Sequence, residues 1–115
     1  MKKDPITFDQ FTALDIRVGY IVDCQRVEGS EKLLLSTVDL GADYGTVTIL
    51  SGIGPWFGPA DLKGKKTAFL ANLAPRPMMG HISQGMMLLV DAEDDTGKPL
   101  IMDLPSDSIP GQILR

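Results

Sequence analysis

Cysteine, histidine and tryptophan occur once each, as Cys24, His81 and Trp56. A lone cysteine excludes an internal disulfide and fits a reducing compartment, so a cytoplasmic protein is expected. One histidine, with the only cysteine distant in sequence, gives no metal site of ordinary ligand type. No run approaches the ~18 to 20 consecutive apolar residues that span a bilayer, so no membrane partner is expected. Met1-Lys-Lys-Asp-Pro5 has basic residues without the apolar stretch that a secretory signal needs. Nucleophile elbows, P-loops and glycine-rich dinucleotide turns are missing as well, so neither an enzyme nor a cofactor is expected. A surplus of positive charge is also lacking, because the net charge is −4.

What is present is enough for one fold. At 115 residues and 43% apolar composition, the chain buries one modest core and reads as a single domain over residues 1–115. The excess negative charge is confined to the last third. Residues 1–76 carry nine basic and nine acidic side chains, and residues 77–115 carry two basic and six acidic ones. A local basic face on the first two-thirds remains open, whereas a strongly basic stripe is excluded.

Thr7-Phe-Asp-Gln10 has capping-box spacing, which predicts a short helix from near Phe8 to before Asp15, and Ile6 with Phe11 has staple spacing. Ile16, Val18, Tyr20, Val22 and Cys24 alternate with Arg17, Gly19 and Asp23, the period of a half-buried strand, and Ile21 breaks it. Leu33 to Leu40 and Thr46 to Ile53 read as two antiparallel strands joined at Gly41-Ala-Asp-Tyr-Gly45. Gly58-Pro59 and Gly64 bracket one helical turn. Lys66 to Leu73 and Gly85 to Ala92 supply two more strands. Three strands, a helical turn and two strands is the order of an all-β, five-stranded OB-fold barrel, here over about residues 14–92. An apolar extension over about residues 97–115 then lacks a place in a filled barrel, so it is expected to be a dimerisation extension that buries its apolar residues and strand edges across a two-fold axis.

Five segments occur in order: Leu14-Asp-Ile-Arg-Val-Gly19, Glu31-Lys-Leu-Leu34 leading to Val38-Asp-Leu-Gly41, Leu50-Ser-Gly-Ile53, Ala71-Asn-Leu-Ala-Pro-Arg76, and Ser83-Gln-Gly-Met-Met-Leu88. Together, over Phe8 to Ala92, they resemble the tRNA-binding domain family. That family is found appended to methionyl- and phenylalanyl-tRNA synthetases and as free-standing small dimers. The resemblance implies barrel closure, homodimerisation partly through the tail, tRNA as ligand, and an aminoacyl-tRNA synthetase as a further partner. A CsaA-like branch of the family implies the alternative, a protein-export chaperone that binds unfolded or pre-secretory polypeptide.

The candidate RNA-binding residues are Arg17, Lys32, Asn72, Arg76, Ser83, Gln84 and Met86. Arg17 lies on the expected solvent phase of the first strand beside Gly19, which would leave room for a bulky ligand. Its other reading is an ion pair with Asp15 or Asp39. Lys32, at a strand entrance, is either a phosphate contact or a solvated side chain. Arg76 is flanked by Pro75 and Pro77 and suits phosphate or base contact, though Pro77, Met78 and Met79 follow it where many relatives carry basic residues. Asn72 is a ligand group or the end of a strand. The resemblance puts Ser83-Gln-Gly-Met86 on the RNA side, with Ser83 and Gln84 as hydrogen-bonding groups and Met86 as an apolar platform. The alternative there is a Gly85 bulge opening a core strand, with Met86 and Met87 on opposite faces. Trp56 and Phe57 either stack on nucleotides or pack beneath the barrel.

Overall fold

The computed structural model describes residues 1–115. Helix α1 (Phe8–Thr12) opens on the predicted box, with Thr7 Oγ1 accepting from the Gln10 amide at 3.1 Å and Gln10 Oε1 accepting from the Thr7 amide at 2.8 Å. Strands β1 (Ile16–Arg26), β2 (Leu34–Asp39) and β3 (Thr46–Ser51) follow as an antiparallel meander. The one-turn helix α2 (Pro59–Leu62) leads to β4 (Lys66–Leu70), and then come β5 (Arg76–Met78), β6 (His81–Ser83) and β7 (Met86–Met87). The remaining strands are β8 (Leu89–Val90), β9 (Leu100–Ile101) and β10 (Ile113–Leu114).

The main sheet runs β3-β2-β1-β4-β7, and it curls until β7 approaches β3. There the Gln84 amide donates to the Thr48 carbonyl at 2.8 Å, so the five strands form a nearly closed antiparallel barrel. Ile21, Leu34, Val38, Leu40, Ile49, Leu62, Phe69 and Met87 fill its interior. Leu35, next to Leu34, points to the opposite wall, where it joins Val27, Leu33 and Leu50 beneath Met78 of the β5–β6 hairpin. The start of β2 is therefore apolar and buried on both faces, which explains the uninterrupted leucines Leu33 to Leu35.

The expected alternation of β1 is corrected by its register. Tyr20 faces Asp39 and Ile21 faces Val38, but Asp23 faces Thr37, so Val22 is the extra residue of a bulge. Ahead of the bulge the inward residues are Gly19 and Ile21; beyond it, Cys24 lies in the core. Tyr20 and Val22 are exposed, and Ile21, the apparent exception, is fully buried. The predicted fourth strand ends at Leu70 rather than Leu73, and the predicted fifth is interrupted at Leu88.

The extension lies against the barrel. β9 pairs with β8, and β10 pairs with the start of β1 on the flank opposite β4. The Gly111 amide donates to the Val18 carbonyl, and the Val18 amide donates to the Gln112 carbonyl, both at 2.8 Å. Gly41 and Gly111, at φ 95° and 94°, touch so closely that a Cβ on Gly41 would lie 2.6 Å from the Gly111 Cα. Helix α1 buries no residue, and Phe8, Leu14 and Ile113 are exposed beside a cavity of about 640 Å³ between α1 and β10.

Candidate nucleic-acid interface

The seven candidate residues separate into two places and two states. At one end of the barrel, Arg17 is held by Asp15 (Nε to Oδ1, 2.6 Å), by Asp43 (Nη2 to Oδ2, 3.1 Å) and by the Gly111 carbonyl (Nη1, 3.1 Å). Its guanidinium also lies 5.1 Å from the centre of the Tyr44 ring. The Arg17 hydrogen bond holds the Asp15 carboxyl below the usual carboxylate range, and Tyr44, which donates to Asp15, deepens the shift. Arg17 lowers Asp43 in the same way and is itself pushed upward, chiefly by Asp15, while Asp15 raises the Tyr44 phenol. The ion-pair reading of Arg17 is the one realised, with Asp43 in the place expected of Asp39. Asp39 instead accepts from the Gly41 amide at 2.9 Å. Gly19 opens no surface, because the Phe69 ring occupies the space where its Cβ would be.

Asn72 belongs to this end too. Its Oδ1 accepts from the Asp15 amide at 2.9 Å and its Nδ2 donates to the Ala13 carbonyl at 2.7 Å, which pins the turn from α1 into β1. Ser83 is buried: its Oγ accepts from the Leu50 amide at 3.0 Å and donates to the Gly85 carbonyl at 3.2 Å. The serine hydroxyl thus stands in for a backbone carbonyl at the seam between β3 and β7. Ser83→Ala is expected to orphan the Leu50 N–H and lower stability by about 1–3 kcal/mol, measured by urea denaturation; an unchanged midpoint would refute this role.

The other residues are available. Gln84 uses its Oε1 on the Thr48 amide at 3.3 Å, and its Nε2 is unpaired. Lys32 is exposed and in no ion pair, on a turn whose carbonyl accepts from the Gly54 amide at 2.8 Å. Gly54 permits that approach, since a Cβ there would lie 2.8 Å from the Lys32 oxygen. Arg76 is exposed, and its Nη2 rests 3.9 Å from the Met78 sulfur. Met86 is 40% exposed and Met87 4%, the opposite orientations that strand alternation requires.

Arg76 and Met86 meet at one cleft of about 370 Å³, together with Trp56 and Met78. Lys32 is tied through Gly54 to the loop that forms its wall. Phe57 packs on the core and beneath Lys98, whose Nζ is 5.3 Å from the ring centre, whereas Trp56 keeps a face exposed. The two aromatic readings are therefore divided between neighbours. Sequence reasoning missed Ser51 in this cleft and the hairpin that carries Arg76.

A five-stranded barrel of this order, with an exposed arginine, an exposed aromatic and a soft apolar side chain around one cleft, defines a module of the OB-fold class. Residues 16–113 match the family described as "Putative tRNA binding domain", and the chain belongs to that family. It is 46% identical over 110 residues to the methionine–tRNA ligase of Cupriavidus pinatubonensis, a match covering 94% of this chain and 16% of that protein. With the methionine–tRNA ligase of Clostridium acetobutylicum it shares 43% identity over 113 residues, covering 98% of this chain and 17% of the relative. The chain thus spans about a sixth of the length of these relatives. The crystal structure of a MetRS-related protein from Pyrococcus horikoshii superposes with a TM-score of 0.88 at 30% identity, covering 98% of this chain and all of that one. The chaperone CsaA from Bacillus anthracis has the same fold, with a TM-score of 0.82 at 19% identity and 97% of this chain covered.

Proposed function

We propose that the chain is a non-catalytic, cytoplasmic tRNA-binding module that works as a homodimer and reads tRNA by its shape and unpaired nucleotides. Convergence of Arg76, Met86 and Trp56 on one cleft carries this reading. RNA is read in single-stranded segments by stacking and by contacts to the backbone, and these are the groups that provide both. Lys32 and Arg76 hold phosphates, Gln84 offers its free amide, and Arg17, Asn72 and Ser83 keep the frame on which the others sit. An aminoacyl-tRNA synthetase is the partner that the ligase relatives suggest, either joined to this module or bound beside it. No helix is long and apolar enough to cross a membrane.

The net charge of −4 predicts weak, salt-sensitive binding. Lys32→Ala and Arg76→Ala are each expected to weaken tRNA binding and reduce the slope of log affinity against log salt by up to about one unit, as loss of one phosphate contact does. Gel shifts with total tRNA over a salt series measure this. Wild-type affinity and slope in both folded variants would overturn the assignment.

Exposed methionines favour a second reading. Met86 is exposed and Met78 half-buried at the same cleft, with Met79 exposed at the tip of the β5–β6 hairpin, a deformable surface suited to unfolded polypeptide, as in a protein-export chaperone. Binding of a reduced, unfolded polypeptide in place of tRNA would select it.

A further inference from the structure

The cleft holds a buried hydroxyl that pairs with nothing. Ser51 is 8% exposed, lines the cleft and has a hydroxyl with no hydrogen-bond partner. Such a group is costly to leave unmade, and a single χ1 rotation between staggered wells redirects it. Trp56, 38% exposed, forms another wall, with Met78 and Met86 beside it. At about 370 Å³ the cleft sits at the small end of the ~300–1,000 Å³ typical of small-molecule sites, too small for a stretch of RNA and large enough for one planar ring. Its rim carries opposite charges at Arg76 and Asp91, so a phosphate is attracted to one side and repelled from the other.

We propose that this cleft is a receptor for one unpaired nucleobase of the bound RNA. The base stacks on the Trp56 indole, the Ser51 hydroxyl turns to hydrogen-bond its edge, and the backbone phosphate lies on the Arg76 side, away from Asp91. The methionines close over the ring as deformable apolar contacts. This rests on the tRNA reading above and adds to it where the unpaired nucleotide is held.

Trp56 is the sole tryptophan, so its fluorescence reports on the cleft alone. Titration of the full chain with total tRNA is expected to quench it saturably, over the concentrations that produce the gel shift. Ser51→Ala should weaken tRNA binding about 2- to 10-fold, the loss of one hydrogen bond, with an unchanged salt slope. Trp56→Leu should weaken it about 5- to 100-fold, and Trp56→Phe should restore much of the loss. A gel shift without quenching, together with wild-type affinity in Ser51→Ala, would overturn the receptor and leave tRNA binding standing. Absence of any gel shift with the wild-type chain would overturn both, as would quenching by an unfolded polypeptide and not by tRNA.

Discussion

A chain lacking Pro105 to Arg115 is expected to be monomeric, less soluble, and less stable by on the order of 3 kcal/mol. The truncation strips the Val18 N–H and C=O of their partners Gln112 and Gly111, removes the Gly111 carbonyl from Arg17, and exposes Val18, now 4% accessible. Lys66 loses the Ser106 and Ser108 carbonyls at 2.6 and 2.7 Å. With β10 absent, the start of β1 becomes a bare strand edge, a template for aggregation. Association is separable from folding by Ile113→Asp. That side chain is 60% exposed, so the charge should leave the fold intact while opposing any burial of the Phe8 and Leu14 face in the proposed homodimer. Sedimentation of the full chain and both variants, with urea denaturation, tests this; a monomeric full chain would refute the association, and an unchanged midpoint in the truncated chain would refute the structural role of the tail.

Gly19→Ala should cost about 3 kcal/mol, at the upper end for one added methyl. An alanine Cβ would lie 2.4 and 2.6 Å from two Phe69 ring carbons and 2.8 Å from a Val38 methyl. Phe69 and Val38 are both fully buried, so neither has space to retreat. Gly52→Ala is the control: nothing lies within 4 Å of its Cβ position, and the change should stay within about 0.5 kcal/mol. Equal denaturation midpoints for the two variants would show that the ring yields.

Local chemistry was legible wherever it acts through neighbours in sequence. The Thr7 and Gln10 spacing gave α1, and the glycines at 41 and 45 gave the hairpin between β2 and β3. The inward phase of β1 was misread because a bulge leaves no mark of its own; only the buried Ile21 amid an apparent even-numbered face betrays it. The hairpin of β5 and β6 was hidden by its turn. Met79 at φ 50° and Gly80 at φ 81° are both left-handed, as a two-residue hairpin demands, but methionine is an unusual residue for the first position. At the site, Lys32 is exposed at a turn as expected and Arg76 is exposed but lies in strand β5 of the unforeseen hairpin, while the strand-end reading of Asn72 was open and the partners of Asn72 and Ser83 lie 57 and 33 residues away. No spacing rule reaches that far.

The register of β10 on β1 also orders events in time. Arg17 and Gly111 are 94 residues apart, whereas β2 and β3 join across a tight turn. Contacts close in sequence form ahead of distant ones, because a long loop must be closed before its pairing gives any return. The β2–β3 hairpin is therefore expected to form ahead of the pairing between β1 and β10. The end carrying Arg17 and β10, closed across 94 residues, is expected to be completed last, so the strand edge of β1 stays open until the C-terminal segment has been made.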